Sequence, residues 1–151
     1  MAPITICDVL RSISDDKALS LFNIIALAAC SSEIPISRLK LTRKQYYSRM
    51  SAMIKTGLIG RANGKYILTS FGKVVYQAHL LMGKAQQNYW KLKAVDAFES
   101  SDNALSSEER DRLIHSLIAD NDLKEILQTC SKNKDNDQEL IALQQSLDHS
   151  K

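Results

Sequence analysis

Thr42-Arg43-Lys44-Gln45-Tyr46-Tyr47-Ser48-Arg49-Met50 opens the stretch whose reading decides the fold; Gly57-Leu58-Ile59 and then Asn63-Gly64-Lys65-Tyr66-Ile67-Leu68-Thr69 close it. Thr42-x-x-Gln45 has the spacing of a capping box, in which each side chain bonds the other residue's backbone N–H. The helix it opens is predicted to end at Gly57, where a glycine tolerates the left-handed conformation after the last turn. Leu58 to Ala62 then reads as a strand, Asn63-Gly64 as a type I′ turn, and Lys65 to Thr69 as the returning strand.

Upstream, Ile6, Val9, Leu10 and Ile13 follow helical spacing behind Thr5 as a cap. Ser14 or Asp15 caps the start of a second helix, from Asp16 to about Cys30. Its apolar residues lie nearly all round, which places it at the centre of the core. Pro35 suits the start of a short helix carrying Ile36, Leu39 and Leu41. Downstream, Thr69 or Ser70 caps a single long helix to about Phe98. Ser106-x-x-Glu109 is a second capping box, before a helix with Leu113, Ile114, Leu117 and Ile118. Asp122-x-x-Glu125 opens another, residues 131–137 read as a polar linker, and residues 138–147 as a last amphipathic helix.

Helix, short helix, capped helix ending in Gly-Leu-Ile, then an Asn-Gly hairpin: this order is that of a winged helix-turn-helix. Over residues 15–95 the chain resembles the winged-helix transcription regulators of archaea and bacteria, especially the small archaeal ones. The residues that carry the likeness are Leu41 to Met50, Gly57-Leu58-Ile59, and Asn63 to Gly72. The resemblance implies that the helix before Gly-Leu-Ile enters the major groove, that the hairpin is the wing, and that terminal helices form a homodimer. The expected fold is therefore mainly α. Residues 1–70 (core 15–70) are the winged domain, 71–99 a long dimerisation helix, and 100–151 an acidic helical extension.

The charge distribution points the same way. Residues 34–93 hold twelve basic side chains and no acidic one, whereas residues 94–151 hold six basic and thirteen acidic; the whole chain is +3. Ordinary surfaces intersperse both signs. A one-signed field over sixty residues attracts a polyanion, of which nucleic acid is the commonest.

On a helical wheel, Tyr46, Met50, Met53, Ile54 and Gly57 share the face expected in the core. Lys44, Gln45, Ser48, Ser51, Ala52 and Lys55 lie on the other, where small side chains let the backbone approach base edges. Lys44 and Lys55 are placed to reach phosphates, Gln45 can pair bidentately with adenine, and Ser48 can bond more than one base. Arg43 and Tyr47 stand at the border and are expected to contact phosphate or base, and Ser51 belongs to the same expected contact set. In the hairpin, Arg61, Asn63 and Lys65 surround the turn, within reach of phosphates or the minor groove.

Phe71, Val75, Ala78, Met82, Ala85, Tyr89 and Leu92 alternate spacings of four and three, an a/d seam over about three heptads. Val75, Ala78, Met82, Ala85, Tyr89 and Leu92 are accordingly the expected dimer contacts. A second apolar row, Val74, Leu81 and Val95, leaves open that the helix packs on its own domain instead.

Other classes find little support. No P-loop, dinucleotide-binding, nucleophile-elbow or H-E-x-x-H motif occurs, so no enzyme is expected. His79, His115 and His149 are isolated, and Cys7, Cys30 and Cys130 are scattered, which predicts reduced, mostly buried thiols and neither metal nor cofactor. The longest uncharged apolar run, Ala18 to Ala29, is too short for a bilayer. Met1-Ala2-Pro3 lacks a signal-peptide start, so the expected location is cytoplasmic. The resulting expectation is a sequence-specific, double-stranded-DNA-binding homodimer. The alternative is a winged-helix interaction module that docks on transcription or replication machinery. The acidic extension is a candidate site for a protein partner.

Overall fold

The computed structural model describes residues 4–27, 39–100 and 105–130. The chain is mainly helical with one two-stranded antiparallel sheet. It divides into two compact units, Met1–His79 and Leu80–Lys151.

In the first unit, α1 (Ile6–Ser12) begins at a capping box. The Asp8 N–H donates to Thr5 Oγ1 at 3.2 Å and the Thr5 N–H to Asp8 Oδ2 at 3.2 Å. α2 (Asp16–Leu27) starts at Asp15, whose Oδ1 accepts the Ala18 and Lys17 N–H groups at 2.9 and 3.0 Å. Of the two expected caps, Asp15 is thus the one used. α3 (Arg43–Lys55) has the expected capping box: the Gln45 N–H donates to Thr42 Oγ1 at 3.2 Å and the Thr42 N–H to Gln45 Oε1 at 3.1 Å. It ends as anticipated at Gly57, with φ +73°. The Leu58 N–H reaches back to the Met53 carbonyl at 3.0 Å, which closes the helix in a Schellman arrangement.

β1 (Ile59–Ala62) and β2 (Lys65–Leu68) follow, with Ile59 opposite Leu68 and Ala62 opposite Lys65. Asn63 and Gly64 both have positive φ (52° and 75°), as a type I′ turn requires. The core joins α1, α2, α3 and β1 through Val9, Ile13, Ala18, Leu21, Phe22, Ile25, Tyr46, Met50, Met53, Leu58 and Ile59.

Three sequence expectations need correction here. Ile54 is 43% exposed although the wheel put it in the core, because Met50 and Met53 already fill the contact with α1 and α2. Ile6 and Leu10 stay exposed for a similar reason: α1 is covered only along Val9, Ser12 and Ile13. Cys7 and Cys130 are exposed, not buried. The end of α2 toward Cys30, the short helix after Pro35, the linker and the last helix fall outside the described residues. Leu39 packs on the first core and Leu41 is buried.

The long helix is interrupted. α4 (Ser70–Gln87) and α5 (Tyr89–Glu99) meet at Asn88, whose φ and ψ are −98° and 13°. Its Nδ2 donates to the Lys84 carbonyl at 3.0 Å, the acceptor that the helix ladder also uses. An asparagine side chain that competes for backbone groups in this way favours a break. At the start of α4, Thr69 Oγ1 accepts the Gly72 N–H at 2.9 Å, which makes Thr69 the cap.

The second unit packs the last turns of α4 and α5 with α6 (Ser107–Leu117) and α7 (121–130). Its core is Val95, Ile114, Ile118 and Leu123, flanked by Leu81, Ala85, Leu92, Leu117 and Leu127. The Ser106–Glu109 capping box is present. α7 is capped by Asp120, which accepts the Asp122 and Leu123 N–H groups at 3.0 and 3.2 Å, so the start lies before the expected Asp122. Asp122 and Asp120 instead hold the Lys84 ammonium. Among the described residues no helix is long and apolar enough to cross a membrane.

Candidate nucleic-acid interface

The outward side of α3 collects most of the expected site. Arg43, Lys44, Gln45, Tyr47, Ser48, Ser51 and Lys55 are all exposed, and Ala52 is half-buried. Tyr46, Met50 and Met53 anchor the opposite side in the core, which fixes the rotation of the helix about its axis. The first turn of α3 holds no acidic side chain. Its free N–H groups and the positive end of the helix dipole therefore act in the same sense as Arg43 and Lys44, toward an anion. Among the described residues Arg43, Lys44 and Lys55 have no ion-pair partner.

Two side chains are less free than the sequence implied. Gln45 Oε1 is engaged by the Thr42 N–H, so pairing with adenine through both amide atoms requires the capping box to open. The amide Nε2 remains for a contact that keeps it closed. Arg49, which carried no assigned role, is the clamp between α3 and α2. Its Nη2 lies 3.2 Å from Asp15 Oδ1 and its Nη1 donates to the Gln45 carbonyl at 3.3 Å. Burial raises the Asp15 carboxyl, but the Ala18 N–H, the Arg49 guanidinium and the Lys17 N–H together outweigh it and hold the group below the usual carboxylate range. No spacing rule pairs positions 15 and 49, so this contact was not legible beforehand.

Tyr47 is 59% exposed and stands edge-on to the buried Tyr46 ring, with centroids 5.3 Å apart. Burial raises the Tyr46 phenol above its ordinary pKa. In the hairpin, the Arg61 guanidinium lies 5.2 Å from the centre of the Tyr66 ring, its cross-strand partner. Such stacking stiffens a cationic side chain without neutralising it. Asn63 forms the turn and is exposed, as is Lys65. The structure therefore places all ten expected contact residues on α3 or the hairpin, at the surface.

The six expected dimer residues divide instead. Val75 packs on the first core, and Ala85 and Leu92 pack on the second. Only Ala78, Met82 and Tyr89 are exposed. The seam is not continuous because burial alternates along α4 as each core claims a different part of the helix. His79 lies beside the Tyr76 ring, and among the described residues no group of His, Cys, Asp or Glu is placed to hold a metal ion.

The chain matches no family model, no curated protein and no solved structure to which it was compared.

Proposed function

We propose that the protein is a winged-helix, sequence-specific DNA-binding protein, a transcription regulator that works as a homodimer. In this reading α3 lies in the major groove, where Ser48, Ser51 and the Gln45 amide face base edges and Arg43, Lys44 and Lys55 face phosphates. The hairpin brings Arg61, Asn63 and Lys65 to the adjacent backbone or minor groove. The observation that carries the reading is the exposed side of α3. It combines exposed cations, small polar residues and a carboxylate-free N-terminus on a helix locked in rotation by its buried side. Binding-site selection from random duplexes, followed by fluorescence anisotropy on the selected site, tests it. Enrichment of one motif supports the reading, and no enrichment with no binding in low salt overturns it.

One observation favours a second reading. Tyr47 and Ile54 leave apolar surface exposed on α3 itself, and protein-docking faces are richer in such groups. A winged-helix module that docks on transcription or replication machinery would use them. Ile54→Ala then weakens partner capture while DNA affinity stays unchanged.

A further inference from the structure

α5 has two differently occupied sides. Leu92 and Val95 face the core of the second unit. On the other side Tyr89 is 51% exposed and Trp90 79% exposed, and their rings meet edge to face with centroids 5.2 Å apart. Helical spacing brings Lys93 and Ala97 to the Tyr89–Trp90 side and Asp96 to its border. All three are exposed, and among the described residues neither Lys93 nor Asp96 has an ion-pair partner. Large apolar groups left in water and rimmed by charge mark an interaction surface. Tyrosine and tryptophan are also the residues that most often dominate binding energy at such surfaces.

We propose that this side of α5 docks on the same side of α5 in a second copy of the chain, antiparallel across a two-fold axis. A two-fold interface must be self-complementary, because every contact occurs twice with its ends exchanged. With the axis near Lys93 and Ala94, Trp90 lies over the small Ala97 of the second copy, and Lys93 reaches its Asp96. Both contacts repeat under the symmetry. A parallel pairing sets Lys93 on Lys93 and Trp90 on Trp90 and has neither advantage. The exposed apolar residues of α4 offer no equivalent, since that helix carries Lys73 and Lys84 and no carboxylate. Asp96 on the α5 face likewise disfavours a polyanion as its occupant. The proposal rests on the homodimer of the functional reading, and specifies its surface, but it is independent of DNA binding.

Trp90 is the only tryptophan in the chain, so tryptophan emission, excited selectively over the five tyrosines, reports this face alone. Dilution of the full-length protein should move the emission from a buried toward a water-like maximum, in step with the dimer-to-monomer change in sedimentation. Lys93→Asp and Asp96→Lys each set like charges across the axis twice and should weaken the dimer about tenfold or more. The double variant Lys93→Asp/Asp96→Lys rebuilds the pairs in reverse and should return to within a few-fold of wild type, with circular dichroism unchanged throughout. A wild type that is monomeric at roughly tens of micromolar, a range in which micromolar dimers are formed, overturns the proposal. So does a dimer whose emission stays water-like or whose affinity ignores both single charge reversals. Anisotropy on a single half-site separates the two readings. Half-site binding by a monomer leaves the DNA reading standing, and a dimer of this form that binds no DNA overturns that reading alone.

Discussion

Gly72 lies against the backbone of Leu58 so closely that a Cβ on it would stand 1.9 Å from the Leu58 carbonyl oxygen. The first turn of α4 is thereby pressed onto the corner where α3 gives way to β1. Thr69 secures the same corner: its N–H donates to the Leu58 carbonyl at 3.1 Å, and its Oγ1 lies 2.5 Å from the Gly57 carbonyl. Gly72→Ala must push α4 away from this corner, because the obstacle is backbone. It should destabilise the protein by about 3 kcal/mol or more, at the upper end of overpacking effects. Gly83→Ala is the control, since nothing lies within 4 Å of its added Cβ. There the gain in helix propensity should stabilise by roughly 0.4–1 kcal/mol. Urea unfolding followed by circular dichroism measures both, and equal effects would refute the corner argument.

Acid should loosen the protein. Hydrogen bonds from Thr5 hold Asp8 below its ordinary pKa, those from Ser106 do the same for Glu109, and the Lys84 ammonium does so for Asp120. A carboxyl whose folded pKa is depressed contributes stability that is complete above its unfolded pKa, near 4, and lost as pH falls through the folded value. Unfolding midpoints should therefore be flat from about pH 7 to pH 5 and drop below about pH 4. Asp15→Asn keeps a capping side chain and removes the charge facing Arg49, so its midpoint should fall less steeply with acid than wild type. Superimposable pH profiles for the two would remove Asp15 from this account.

Gln45 holds two tasks that one substitution separates. Gln45→Glu preserves an acceptor for the Thr42 N–H, since a capping box accepts either residue. It also places a negative charge on the DNA-facing side and deletes the amide donor. Folding stability should stay within about 0.5 kcal/mol of wild type, whereas affinity for the selected site should fall by at least about 1–3 kcal/mol, the worth of one base contact. Thr42→Ala should do the reverse, with about 1 kcal/mol lost from stability and little change in sequence preference. An unchanged affinity in Gln45→Glu would take this residue out of the interface.

Phosphate and base contacts should also divide by salt. If a dimer neutralises ~6–10 phosphates, log K should fall against log salt with a slope of about −5 to −9. Lys44→Ala should weaken random and selected duplexes alike and reduce the slope by about 1 for each phosphate that Lys44 neutralises. Ser48→Ala should mainly relax sequence preference. A slope near zero, or equal losses on both duplexes for Lys44 and Ser48, would show that α3 does not read DNA in this way.

Local chemistry was enough to locate most elements. The caps at Thr5, Thr42 and Ser106 and the Gly57 terminus each depend on atoms within a few residues. The Asn63-Gly64 turn does too. Their free energy is set before any distant contact forms, so spacing alone identifies them. The break at Asn88 and the cap at Asp120 were harder to read, because several neighbouring residues have the same local chemistry and the surrounding packing selects among them.

What the amino-acid order determined by itself is therefore the helix–hairpin plan, the carboxylate-free basic segment, and which side of α3 carries Lys44, Ser48 and Lys55. Tertiary structure alone decided which apolar residues are covered. Ile54 sits at a position that periodicity assigns to the core, yet it remains exposed, whereas Ala85 and Leu92, on the expected seam, are half-buried against the core of the second unit. The Arg49–Asp15 clamp was decided at that level as well. Periodicity states only that a side is apolar; how much of it is buried depends on the area of the elements that pack against it, and that quantity is set by residues distant in the chain.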